Sequence, residues 1–138
     1  MAVIEELICT QADGTISFGN YQLSAKSKVE DFEHDGDLYK VKTFREITKL
    51  EKNGMFVYES VPGTTVLNLK ASQHEMSFQV EGSEDAQITL ELEDETEYMV
   101  FVDGANAGTM KTNLGGKLSL SVELNEGTPV SVRIEKIG

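Results

Sequence analysis

Leu118-Ser-Leu-Ser-Val-Glu-Leu124 is the stretch on which the fold turns. Leu118, Leu120, Val122 and Leu124 alternate with Ser119, Ser121 and Glu123. Successive side chains of a strand point to opposite faces, so this alternation buries one set and leaves the other in water. The same pattern recurs on both sides. Met76, Phe78 and Val80 alternate with Ser77 and Gln79; Ile88, Leu90 and Leu92 alternate with Gln87, Thr89 and Glu91. Tyr98, Val100 and Val102 form a further run, and Val130, Val132 and Ile134 alternate with Ser131, Arg133 and Glu135. A weaker strand is expected through Gly108–Thr112. Between the runs stand Glu81-Gly82-Ser83, Asp103-Gly104, Asn113-Leu-Gly115-Gly116 and Asn125-Glu-Gly127, residues that tolerate positive φ. Five or six short strands at this spacing predict an all-β, antiparallel β-sandwich-like fold, its C-terminal half a meander or Greek key.

One run breaks the alternation. Every residue of Tyr98-Met-Val-Phe-Val102 is apolar, so Met99 and Phe101 face away from the side that Val100 faces. A strand apolar on both faces is expected to be covered on both. Either the N-terminal half packs over it, or a subunit interface does.

The first half carries hairpin signals. Thr15–Phe18, Gly19-Asn20 and Tyr21–Ser24 read as a tight β-hairpin, Asp37–Phe44 as a strand, and Asn53-Gly54 as the turn between Ile47–Lys52 and Met55–Ser60. A helix over 43–52 competes, with Thr43 and Glu46 as a capping box, but the hairpin is the preferred reading. These hairpins are expected to pack against the C-terminal half. The chain thus divides into an N-terminal β-rich lobe (1–66) and a C-terminal sandwich-like lobe (67–138), separate or around one shared core.

Composition narrows the function. The net charge is −12, from 24 acids and 12 bases, with 11 acids and 7 bases in residues 1–66 and 13 and 5 in residues 67–138. Such a surface repels phosphate backbones and anionic lipid headgroups, so neither nucleic acid nor membrane is an expected partner. The N-terminus has two acids and no base before a short apolar stretch, unlike a secretory signal, and cytoplasmic localisation is expected. One cysteine, Cys9, makes no internal disulfide, and its neighbours Leu7 and Ile8 suggest a buried, inert thiol.

Two acidic clusters invite a metal reading. With Asp31 as position 1, a calcium-loop pattern matches at Asp35 and Gly36 and places Glu33 at position 3, but Lys42 occupies the position of the bidentate glutamate. A looser calcium site on Asp31, Asp35 and Asp37 is the remaining metal candidate; otherwise the segment is a solvated loop. Glu91, Glu93, Asp94, Glu95 and Glu97 form the second cluster, read as a water-exposed turn or a calcium site. No other cofactor is expected.

Catalytic motifs are scarce. His34 and His74 lie in polar stretches, a Gly-x-Ser-x-Gly elbow is missing, and Gly115-Gly116-Lys117 lies in a turn with no helix to follow. Paired carboxylates abound through composition alone and discriminate nothing. For sugar recognition there is no tryptophan, leaving Tyr21, Tyr39, Tyr58 and Tyr98 as candidate platforms or as packing residues.

Two resemblances follow from these residues. Tyr98–Gly104, Gly108–Thr112, Gly115–Leu118 and Val122–Leu124 resemble the immunoglobulin-like and other β-sandwich tails of bacterial carbohydrate-active enzymes. That likeness covers residues 88–137 and implies a non-catalytic accessory module. Gly36–Thr43 and Leu50–Ser60 resemble short bacterial proteins sometimes labelled endosialidase, a label implying cleavage of polysialic acid. Sialidase-type sites grip carboxylates with clustered arginines, and this chain has Arg45 and Arg133 alone. The residues themselves therefore predict a non-enzymatic interaction or assembly module, with a protein partner or self-association expected. Phe56, Tyr58, Met99 and Phe101 are the candidates for a buried lobe contact or an oligomer interface. The alternatives are a carbohydrate-binding accessory protein, calcium-assisted or not, and a glycan hydrolase.

Overall fold

A computed structural model of the chain describes residues 3–137. In chain order the strands are β1 (Ile8–Thr10), β2 (Ile16–Phe18), β3 (Ser27–His34), β4 (Asp37–Phe44), β5 (Ile47–Lys52), β6 (Met55–Val61) and β7 (Thr65–Ala71). There follow β8 (Glu75–Glu81), β9 (Ala86–Glu91), β10 (Glu97–Val102), β11 (Ala105–Lys111), β12 (Lys117–Val122) and β13 (Val130–Lys136). The described residues contain no helix. Two antiparallel sheets pack as a sandwich. Sheet A runs β1-β2-β7-β8-β13-β10-β11 and sheet B runs β12-β9-β6-β5-β4-β3.

Turn chemistry builds the meander β3–β6. Asn53 (φ 52) and Gly54 (φ 79) both take positive φ, the twist that matches a two-residue hairpin, so 43–52 is strand, turn and strand rather than helix. The C-terminal strands follow a different logic. β8, the β10–β11 hairpin and β13 join sheet A, whereas β9 and β12 join sheet B, and β13 slots between β8 and β10. Strands from both halves thus enter both sheets, and the 66/67 boundary falls inside β7. One core results, centred on Phe18, Leu50, Tyr58, Phe78, Ile88, Val100 and Ile134. Tyr58 lies at its middle, edge-on to Phe18 and Phe78 at centroid distances of 5.4 and 5.7 Å.

The hairpin expected over 15–24 does not form. Only Ile16–Phe18 is strand, pairing with β1 and β7. At Gly19 (φ 97) the chain leaves sheet A and crosses to β3 of sheet B, and its next polar groups are satisfied from both sheets, Asn20 on β4 and Tyr21 on β8. Asn20 N donates to Thr43 Oγ1 (2.9 Å), and the buried Tyr21 hydroxyl donates to Glu81 Oε2 (2.7 Å). A Cβ at Gly19 would stand 2.5 Å from Thr64 O, so a side chain has no room there.

The crossover is held by buried hydroxyls. Thr43 and Thr48 share a hydrogen bond (2.8 Å), Thr48 Oγ1 donates to Thr64 O (2.7 Å), and Thr64 Oγ1 meets both Tyr58 OH and Ser60 Oγ at 2.7 Å. A buried hydroxyl without a partner is costly, and here none among the described residues lacks one.

Bulges redirect side chains. Between Leu50/Tyr58 and Glu51/Phe56 the β5–β6 register shifts by one residue. Phe56, which shares parity with the core residues Tyr58 and Ser60, is thereby turned to the outer face of sheet B. It lies beneath Lys117 Nζ (4.5 Å to the ring centroid) and Lys49 Nζ (5.9 Å).

Candidate functional site

The outer face of sheet A carries the residues that the doubly apolar run singled out. Cross-strand register brings Phe101 of β10 opposite Arg133 of β13, and Arg133 opposite Ser77 of β8. In the adjoining row Ser131 stands opposite Gln79. Phe101 and Met99 are half-buried, and no N-terminal strand lies beside them, since the sheet neighbours of β10 are β13 and β11. Over Phe101 the expected cover by the N-terminal half is replaced by a guanidinium. Arg133 Cζ sits 4.4 Å from the Phe101 ring centroid, and its Nη1 is 3.2 Å from Glu135 Oε1. An exposed cation–π contact of this kind contributes about 0.5–1 kcal/mol, enough to bias the rotamers of both side chains.

Ser77 and Ser131 are short, so the sheet is recessed between the Phe101–Arg133 pair and Asn68 with Gln79. The result is a hollow of about 640 Å³. One edge is fixed by Asp103 (φ 50), whose Oδ1 accepts from Ser131 N (2.9 Å) and whose N donates to Ser131 O (2.8 Å). On the opposite edge Asn68 (φ 55), in a bulge of β7, donates through Nδ2 to Thr15 Oγ1 (3.0 Å). The hollow thus presents one ring, one guanidinium, two carboxamides, two hydroxyls and the Asp103 carboxylate on the face of the sheet. Such a set can stack on an apolar ligand face and exchange hydrogen bonds with hydroxyl groups.

A second recess, about 480 Å³, opens between the sheets beside β2, β4 and β7. It brings Asp35 and Asp37 together with Asp13, Lys52 and Lys70. Its wall includes His34, whose side chain is 9% exposed, with Nδ1 at 2.9 Å from Thr10 Oγ1 and Nε2 at 3.6 Å from Asp35 Oδ2. The last distance is too long for a hydrogen bond. Asp37 is held below the usual carboxylate range, chiefly by the hydrogen bond from Asn53 Nδ2 (2.9 Å) and then by Lys52 at 3.4 Å. Asp13 is lowered likewise, first by the Thr15 hydroxyl (2.6 Å).

Asp31 is not in this recess. It sits in a β3 bulge (φ 56) and lines a separate hollow with Glu30, Tyr39 and Glu51. The calcium site expected on Asp31, Asp35 and Asp37 therefore does not assemble, because the bulge sends the first residue elsewhere. Among the described residues no group of three or more His, Cys, Asp and Glu side chains could hold a metal ion. The second acidic cluster is partly neutralised by lysines: Glu91 meets Lys117 at 3.2 Å and Glu93 meets Lys136 at 2.7 Å.

The remaining sequence candidates fall mainly in the interior. Tyr58, proposed for an interface, is fully buried between the sheets. Tyr21 and Tyr98 are core residues, whereas Tyr39 is half-buried and lines the second recess and the hollow beside Asp31; the exposed ring of the sheet A hollow is Phe101. Cys9 is half-buried rather than buried, and desolvation, then Glu6, pushes its thiol up, away from the reactive thiolate. Asn68, Ser77, Gln79 and Ser131 were absent from the sequence candidates. Alternation places Ser77, Gln79 and Ser131 on outward faces, but only the strand order sets them side by side. Comparison of the chain with protein-family models, with curated proteins and with solved structures finds no match.

Proposed function

We propose that the chain is a non-catalytic interaction module whose recognition surface is the hollow around Phe101 and Arg133, and that its ligand is a glycan. The observation that supports this is the set of side chains in that hollow: an aromatic ring backed by a guanidinium, two carboxamides, two serine hydroxyls and the Asp103 carboxylate. A sugar offers an apolar ring face and a fringe of hydroxyls, and such a set answers both. The groups are fixed on strands, so little ordering entropy is lost on binding. The likeness of residues 88–137 to accessory modules of carbohydrate-active enzymes points the same way.

A glycan-array screen followed by titration calorimetry tests the reading. A hit is expected with the wild-type chain and should be lost in Phe101→Ala and in Ser77→Tyr, which fills the recessed floor. Both positions face outward, so the melting midpoint serves as the folding control. Silence across neutral and acidic glycans, or binding that survives both substitutions, would overturn the assignment.

A further inference from the structure

Register shifts interrupt five strand pairs among the described residues. One lies in β10–β11, whereas the other four, in β2–β7, β3–β4, β5–β6 and β7–β8, all border the recess between the sheets. Bulges re-aim side chains and are frequent beside active sites. Here the re-aimed side chains line one cavity. In β3, Val29 packs against the core, and strict alternation would turn Asp31 and Glu33 inward after it. The shift between Val29 and Phe32 turns Phe32 and His34 inward instead. In β6, Val57 is the residue that the shift leaves unpaired, and it lines the recess with Ile16, Leu69 and Met76.

We infer that this recess binds a small organic cation, an ammonium group carried on an apolar body. Its volume of about 480 Å³ suits a small molecule, and its floor is apolar. The Tyr39 ring adds a π-face, to which an ammonium group is attracted. In the wall, nine-tenths of the His34 side chain is buried; its Nδ1 is engaged by Thr10 Oγ1, while Nε2 makes no hydrogen bond. The tautomer that donates from Nδ1 to Thr10 leaves Nε2 an acceptor, 3.6 Å from Asp35 Oδ2, so two acceptors stand side by side without a donor. An ammonium group donates to both. Charge favours the same ligand. Four carboxylates (Asp13, Asp35, Asp37 and Glu91) and two ammonium groups (Lys52 and Lys70) line the recess. Lys52 lies 3.4 Å from Asp37, and Glu91 lies 3.2 Å from Lys117, which leaves Asp13 and Asp35 against Lys70. The net charge of −12 attracts cations over a longer range. Among the described residues no group of three or more His, Cys, Asp and Glu side chains could hold a bare metal ion, so the charge must come with a body that the floor can hold. The recess shares no residue with the sheet A hollow, and the inference stands apart from the glycan reading.

Titration with phenethylamine and with phenylpropanoate, which share a ring and differ in charge, tests this through the histidine ring protons in NMR spectra. His34 lines the recess and His74 does not, so His74 is the internal control. Phenethylamine should shift the His34 signals saturably, leave those of His74 in place, and bind at least about tenfold more tightly than phenylpropanoate. Asp35→Asn should weaken amine binding about tenfold through the loss of a charge-assisted hydrogen bond. Asparagine tolerates the φ of 52 at this exposed position, so the fold is kept. Ala71→Trp, at the exposed rim, should abolish binding with the melting midpoint unchanged. The absence of a saturable shift, phenylpropanoate binding as tight as that of the amine, equal shifts at both histidines, or binding that survives both substitutions would overturn the proposal. The Phe101→Ala variant should bind phenethylamine as the wild-type chain does, which separates this test from that of the hollow.

Discussion

Replacing Thr64 by valine should destabilise the protein more than removing the hydroxyl of Tyr58, although valine keeps the shape of threonine and the tyrosine is the larger side chain. Thr64 Oγ1 is the shared partner of Tyr58 OH and Ser60 Oγ, each at 2.7 Å, and all three residues are fully buried. Tyr58→Phe removes one hydroxyl and leaves Thr64 bonded to Ser60. Its cost is that of one net hydrogen bond, about 1 kcal/mol. Thr64→Val strands two buried hydroxyls at once. An unsatisfied buried group costs about 1–3 kcal/mol, and the proximity of Ser60 to Tyr58 recovers part of the loss, which gives roughly 2–4 kcal/mol. For a chain of this length that is a fall in melting midpoint of about 3 °C per kcal/mol. Urea denaturation of both variants, with an unchanged m-value confirming the same transition, provides the comparison. The Tyr58–Thr64–Ser60 accounting is refuted if Thr64→Val is no more destabilising than Tyr58→Phe.

Three further outcomes follow from the same structure. Gly63→Ala should abolish folding or leave only a grossly destabilised product by circular dichroism, since a Cβ there would lie 1.9 Å from Phe44 O; Gly36→Ala, where the space is open and only the φ of +81 opposes it, should lose about 1 kcal/mol. The folded state holds the Asp37 carboxyl below its ordinary value of about 4, so it binds fewer protons than the unfolded chain below that pH. The resulting stability is fully present above pH about 4 and is lost as pH falls through the lower, folded value. Asp37→Asn should therefore flatten the acid limb of a stability-versus-pH curve, and an unchanged limb would show that Asp37 plays no part in it. Finally, calcium should leave the melting midpoint where it is, as Asp31 stands apart from Asp35 and Asp37; a concentration-dependent rise would reveal a site the geometry does not explain.

Much of the fold was legible because alternation is a local signal. Each C-terminal run, from Met76 to Ile134, could be assigned to a strand and a face from its own residues, and Asn53-Gly54 declared its turn. What escaped was decided at a distance. Gly19-Asn20 looks like a hairpin turn, yet it is a crossover, because the partner of Asn20 is Thr43 on the opposite sheet. Phe56 has the parity of a core residue and is turned outward by a bulge that depends on β5. The candidate site shows the same division. Met99 and Phe101 betrayed themselves by breaking the alternation, and Arg133 could be placed on the outer face of its strand. That Arg133 would cap Phe101, with Ser77 beside it, depends on the order β8-β13-β10, which no local pattern encodes.

That order has a consequence for assembly of the molecule. β13 separates β8 from β10, so until residues 130–136 are in place sheet A exists only as two fragments, the ribbon β1-β2-β7-β8 and the hairpin β10–β11. Sheet B can grow by adding neighbours in sequence from β3 to β6, whereas sheet A must wait for a single strand to bridge its middle. Its closure pairs residues distant in sequence, from Val130 with Val80 to Glu135 with Glu75, the kind of pairing that forms slowly. The hollow proposed for recognition, to which β13 contributes Ser131, Val132 and Arg133, therefore comes into being only when that closure is complete. A nascent chain, or one cleaved ahead of Val130, would lack the hollow, whatever secondary structure it had already formed.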